Sequence, residues 1–97
     1  LPDVRDIVEG TRAAKIAAHV GSLSRGVAQT KDREIRMAEA RRTLDWEGQF
    51  GAALFPEEAR RIHERDGDIE TCSMCGDLCA VKMVRDILPA PEERVDP

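Results

Sequence analysis

Three residues of this chain have the type and spacing to do metal chemistry: Cys72, Cys75 and Cys79, which are all of its cysteines and fall inside the stretch from Thr71 to Ala80. The Cys-x2-Cys-x3-Cys spacing lets three thiolates turn inward around one metal centre. Electron-transfer iron–sulfur clusters and structural zinc sites normally close with four protein ligands. A [4Fe-4S] cubane held by three cysteines keeps one iron without a protein ligand, and that iron can bind something that must arrive, react and leave. S-adenosyl-L-methionine fits this description, chelating through its amino and carboxylate groups, and a reduced cluster could cleave it to a 5'-deoxyadenosyl radical. Cys72, Cys75 and Cys79 are thus the candidate metal and cofactor-binding residues; no residue is assigned a catalytic role of its own. Gly76 lets the backbone pass close to the inorganic core and turn amide hydrogens towards sulfur, while Met74, Leu78 and Ala80 offer apolar cover against water. Two other readings stay open on spacing alone: a small zinc knuckle with His63 as a distant fourth ligand, and cysteines without a metal. A disulfide framework fits poorly, since one cysteine is left over and short loops strain a bridge.

The elements that must position these thiols read as all-α. With 97 residues the chain supports one modest core. The only aromatic residues are Trp46, Phe50 and Phe55, so aliphatic and alanine contacts carry much of the packing. A first helix is expected from Asp3 or Asp6 to Ser24, opened by Pro2 and Asp3 or by a capping box of Asp6 with Glu9. Val4, Ile7, Val8, Thr11, Ala14, Ala17, Val20 and Leu23 form a stripe at helical spacing for one buried face. Gly10 and Gly21 weaken that helix, either because a neighbour presses close or as tolerated surface glycines. His19, in the apolar run around Ile16 and Val20, reads as a packed or partly exposed structural histidine. Gly26 ends the helix.

A second helix is expected from Thr30 or Lys31 to Leu54, with a charged, solvated first half and a second half in which Leu44, Trp46, Phe50, Ala53 and Leu54 supply the core. Pro56 starts a third helix reaching Arg65, with Glu57 and Glu58 favourable at its dipole and Ala59 and Ile62 on its packing face. His63 beside Ile62 reads as solvated. Asp66-Gly67-Asp68 breaks that helix, and Ala80 to Leu88 makes a last short one. The simplest arrangement is a small three-helix bundle over 1–65, a cluster loop and short helix over 66–88, and a disordered tail over 89–97.

A formal charge of −4, without a basic face interleaved with aromatics, argues against nucleic acid as a partner. No apolar run is long enough to span a membrane and no signal-peptide pattern is present, so a soluble, cytoplasmic protein is expected. The chain opens at Leu1 almost directly into a helical pattern and lacks most of what an enzyme site requires. A fragment from the C-terminal end of something larger is the expectation.

Four stretches carry a resemblance. Leu1-Pro2-Asp3-Val4-Arg5-Asp6-Ile7-Val8-Glu9-Gly10, Lys15-Ile16-Ala17-Ala18-His19, Asp45-Trp46-Glu47-Gly48-Gln49-Phe50 and Cys72-Ser73-Met74-Cys75-Gly76, in that order, resemble segments of the phosphomethylpyrimidine synthase (ThiC) family, up to about Lys82. The resemblance implies a radical S-adenosylmethionine lyase of thiamin biosynthesis. Such an enzyme converts aminoimidazole ribotide into 4-amino-5-hydroxymethyl-2-methylpyrimidine phosphate, with release of formate and carbon monoxide. It further implies that Cys72, Cys75 and Cys79 ligate a [4Fe-4S] cluster, and that substrate and S-adenosylmethionine lie largely in a (β/α)8 barrel that this chain lacks. The cysteine motif would reach the neighbouring subunit of a homodimer, and the chain alone would be inactive. Many family members have four residues between the second and third cysteines where this chain has Gly76, Asp77 and Leu78. The related 5-hydroxybenzimidazole synthase, of the anaerobic cobalamin lower-ligand pathway, is therefore the near alternative.

Overall fold

A computed structural model describes residues 1–66, 70–72 and 74–88. The expected tail over 89–97, the Gly67-Asp68 part of the expected helix break, and Ser73 of the cysteine loop lie outside the described residues. Within them the fold is all-α, as the sequence implied: five α-helices and two short 3₁₀ turns, with no strand among the described residues. The helices are α1 (Val4–Ser24), α2 (Ala28–Arg42), α3 (Trp46–Ala52), α4 (Pro56–His63) and α5 (Ala80–Ile87). Residues Leu1–Ile35 form one compact unit and Arg36–Pro97 another.

In the first unit, α1 starts where its side chains satisfy its first free amides. Asp3 accepts from the Asp6 amide at 2.9 Å and Asp6 accepts from the Asp3 amide at 2.9 Å, so the capping box joins Asp3 to Asp6 and not Asp6 to Glu9. The helix ends in a Schellman motif: Gly26, at φ +73°, donates to the Leu23 carbonyl at 3.0 Å, and Val27 donates to that of Ser22 at 3.1 Å. Only glycine takes that left-handed turn without cost. His19 is a packed histidine, its side chain 14% exposed with Nε2 2.6 Å from Glu34 Oε1, and it ties α1 to the start of α2. A Cβ at Gly10 or Gly21 would meet nothing within 4 Å, so these are tolerated surface glycines. The expected burial of the α1 stripe is not observed. No residue of α1 is buried, and Val4 and Ile7 are 78% and 62% exposed. An amphipathic stripe shows which face needs a partner, without showing where in a sequence that partner lies.

In the second unit the expected long helix is divided. Leu44 adopts φ +55° and closes α2 in a second Schellman motif, its amide donating to the Arg41 carbonyl at 3.2 Å and that of Asp45 to the Ala40 carbonyl at 2.9 Å. A leucine in the left-handed region is costly, and the next residue offsets it. Asp45 is the N-cap of α3, accepting from the Gly48 amide at 2.9 Å. The glycine at 48 leaves room for that cap, because a Cβ there would collide with the Asp45 carboxylate and press on Ala40. The core holds Ala40, Phe50 and Ala52, whereas Leu44, Trp46, Ala53 and Leu54 are half-buried. The α4 helix opens with Pro56 at its first turn, as the sequence indicated.

Candidate functional site

The cysteine loop is held from two sides. On one side the Trp46 indole N–H donates to the Glu70 carbonyl at 2.7 Å. On the other, the Glu70 carboxylate takes the Arg85 guanidinium at 2.5 Å and lies 3.6 Å from Lys82 Nζ, both on α5. One residue thus joins α3, the chain entering the loop and α5. Thr71 is buried at 5% exposure and Cys72 follows it, half-buried. The loop then turns: Gly76, at φ +53°, donates to the Cys72 carbonyl at 3.1 Å, Leu78 to that of Cys75 at 3.1 Å, and Cys79 to that of Gly76 at 3.2 Å. Buried Cys79 starts α5, its carbonyl taking the Met83 amide at 3.0 Å.

The tie at Glu70 is sensitive to acid. Its hydrogen bond from Arg85, and then the Arg85 charge, hold its carboxyl below the ordinary value of 4.5. A carboxylate whose folded pKa is depressed contributes stability that is present above 4.5 and lost as the pH falls through the lowered value. Amide exchange at Thr71 and Cys72 is therefore expected to quicken in that acid window. Glu70→Gln should flatten the dependence while leaving the Trp46 bond to the main-chain carbonyl; an unchanged profile would disprove the tie.

All three thiols are free, and each has a distinct environment. The nearby backbone amides of Cys75 and Met74 hold the Cys72 thiol below the ordinary 9.0. Desolvation pushes the Cys75 thiol up, and charge on Cys72 and on Cys79 adds to the rise. Cys75 thus feels both of the other sulfurs across a short loop. Donors at sulfur and a ready thiolate are what metal ligation needs. The amides that act on the Cys72 sulfur belong to Met74 and Cys75, in the turn that Gly76 follows, while the Gly76 amide donates to the Cys72 carbonyl. Met74 and Leu78 are 91% and 81% exposed and Ala80 is exposed, so the expected apolar cover is not formed by these residues. Among the described residues no group of three or more His, Cys, Asp or Glu side chains is arranged to hold a single metal ion.

Beside the loop lies a cavity of about 240 Å³, whose lining includes Trp46, Gln49, Phe50, Ile62, His63 and Cys72. His63 is packed and not solvated as the sequence suggested. Its ring stacks on Trp46 at 3.8 Å between centroids, 22° from parallel, and meets Phe50 at 5.7 Å. Glu47 receives Arg60 in a two-pronged ion pair, both contacts 2.7 Å, and the guanidinium carbon lies 4.5 Å from the Phe50 ring centroid. The cation therefore joins α3 to α4 over the aromatic cluster. Sequence reading found Trp46, Phe50 and the cysteines. It missed Glu70, Thr71 and the packing role of His63, for which the available signal was the i,i+17 relation of His63 to Trp46, a spacing with no local periodicity. No helix among the described residues is long and apolar enough to cross a membrane.

Comparison with known proteins places this arrangement. The model of the radical SAM ThiC family matches residues 1–86. The chain is similar to the phosphomethylpyrimidine synthase of Thermus thermophilus, 48% identical over 89 residues, covering 91% of this chain and 20% of that protein. It is also similar to the phosphomethylpyrimidine synthase of Caldanaerobacter subterraneus subsp. tengcongensis, 41% identical over 93 residues, covering 94% of this chain and 22% of that one. Phosphomethylpyrimidine synthase 1 of Methanothermobacter thermautotrophicus is 42% identical over 97 residues, covering 98% of this chain and 22% of that one. The chain thus spans about one-fifth of the length of these relatives. No solved structure matches.

Proposed function

The chain belongs to the radical SAM ThiC family, and from that membership we propose that it is the C-terminal, cluster-binding portion of a phosphomethylpyrimidine synthase. Cys72, Cys75 and Cys79 hold a [4Fe-4S] cluster, and the observation that carries this reading is the loop itself: three free thiols within one short turn closed by main-chain bonds from Gly76, Leu78 and Cys79. When bound, the cluster would supply the electron for radical chemistry on S-adenosyl-L-methionine. The residues of this chain position it. Trp46 and Glu70 fix the loop's entry, Cys79 fixes its exit on α5, and the exposed face of Met74, Cys75 and Leu78 is presented outward, where a second molecule can approach.

The reaction served is the conversion of aminoimidazole ribotide into 4-amino-5-hydroxymethyl-2-methylpyrimidine phosphate for thiamin, in a cytoplasmic homodimer. Substrate and most of the S-adenosylmethionine contacts come from parts of the family's longer chains that these residues do not include. These residues by themselves bind the cluster without turnover. Anaerobic reconstitution with iron and sulfide tests the reading. A broad charge-transfer band with about four irons per chain, perturbed by added S-adenosylmethionine, is expected. Tight zinc uptake in place of iron, or no metal uptake, would overturn it.

A further inference from the structure

A cluster held by three thiols has no spare ligand, so its release begins when a single sulfur swings away. Cys75 is the exposed one. It stands at the head of the 3₁₀ turn Gly76–Leu78, which runs on to Cys79 and the start of α5. Main-chain bonds give that turn its shape, and side-chain charges fasten it to its surroundings. One ammonium reaches both sides of the loop. Lys82 Nζ lies 3.8 Å from Asp77 Oδ1, in the turn, and 3.6 Å from Glu70 Oε2, in the chain that leads to Cys72. Lys82 is itself three residues after Cys79 on α5, the spacing that brings two helical residues to one face. Glu70 is two residues before Cys72, and Asp77 is two residues from both Cys75 and Cys79. A single cation thus meets carboxylates within two residues of every thiol of the site. Arg85 differs. It pairs with Glu70 and with Asp86, its own neighbour on α5, and so fastens the entry without reaching the turn. Lysine suits the shared position, because its ammonium is a compact charge whose three donors can be divided between two partners. An isolated exposed ion pair is weak, but the Lys82 side chain is 27% exposed and both of its pairs act on one short segment.

We propose that Lys82 is a positioning residue for the cluster: its ammonium clamps the Asp77 turn to the Glu70 entry, keeps the three sulfurs converged on one cubane and so slows the cluster's release. The inference rests on the cluster reading above. It assigns ionic control over how long the cluster stays to a residue that is not a ligand. Salt screens partly exposed pairs of this kind, so the contribution of Lys82 is largest at low ionic strength and fades as salt is added.

Three substitutions in the full-length chain separate the clamp from packing. Lys82→Met keeps the stem and removes the charge, Lys82→Arg keeps the charge, and Asp77→Asn removes the charge of the turn with little change of shape. After anaerobic reconstitution and an iron count, transfer of iron to a chelator is timed at low salt and at about 0.5 M salt. All variants should load about four irons. At low salt Lys82→Met should lose them about tenfold faster than the parent and Asp77→Asn about two- to fivefold faster, with Lys82→Arg near the parent. The double variant of Lys82→Met with Asp77→Asn should be no faster than Lys82→Met, and high salt should bring the parent towards it. Parental release from Lys82→Met overturns the proposal, as does release from Lys82→Arg as fast as from Lys82→Met, which would report lost packing. Should Lys82→Met lose helical content, Asp77→Asn decides, and parental release from it at low salt overturns the clamp. Failure of the parent chain itself to take up iron overturns the cluster reading and this inference with it, and is recognised before any variant is compared.

Discussion

Replacing any one of Cys72, Cys75 or Cys79 by alanine is expected to take the reconstituted chain from about four irons to background and to erase its charge-transfer band, while far-ultraviolet dichroism stays that of the parent. The second half of that expectation follows from how the loop is built. Its turns close through main-chain bonds, Gly76 to the Cys72 carbonyl at 3.1 Å and Cys79 to the Gly76 carbonyl at 3.2 Å, and none of these needs a thiol. Cys75 is exposed, so its truncation should leave the melting temperature unchanged. Cys79 is 8% exposed at the start of α5, and losing its sulfur leaves a small void that costs about 1 kcal/mol. The three variants should therefore be equal in metal and unequal in stability. With only three thiols, no spare ligand exists to rescue a variant. Retention of iron in any one of them would remove that cysteine from the site. Loss of helical structure in all three, or on adding a chelator to the parent, would instead identify a structural metal.

What could be read from the sequence divides along a physical line. The thiols, the cap at Asp3, the helix start at Pro56 and the glycine stop at Gly26 were legible because each acts through neighbours a few residues away. The break at Leu44 was not, because a left-handed turn normally announces itself with glycine, and here the announcement is the following Asp45, which caps the next helix. Helical periodicity ran through the break undisturbed, since Leu44, Trp46 and Phe50 continue an apolar pattern on either side of it. The buried place of the α1 stripe was read from amphipathicity, which does not identify the covering surface; Val4 and Ile7 remain exposed. The ties that organise the site were the least legible. His63 on Trp46 and Trp46 on Glu70 join residues 17 and 24 positions apart, and no local pattern encodes such distances.

That same long-range set makes Trp46→Ala the substitution with the largest expected effect on stability. The indole stacks on His63 at 3.8 Å, meets Phe50 at 6.2 Å with a 36° tilt and donates to the Glu70 carbonyl at 2.7 Å. Tryptophan-to-alanine changes in a core cost about 3–5 kcal/mol, and because Trp46 is half-buried the lower end, about 3 kcal/mol, is expected. Against the narrow stability of small domains this is a large share. Since Trp46 is the only tryptophan, the melt must be followed by dichroism. Trp46→Phe isolates the hydrogen bond: the ring contacts largely remain, and the lost N–H is worth about 1 kcal/mol. Its signature should be local, with amide exchange at Thr71 and Cys72 accelerated while the core of α3 and α4 keeps its protection. Parental exchange in the loop of Trp46→Phe would mean that the Glu70 ion pairs with Arg85 and Lys82 hold the loop unaided. Fast exchange there, with the rest intact, would establish that the aromatic cluster positions the cysteines through a single main-chain carbonyl.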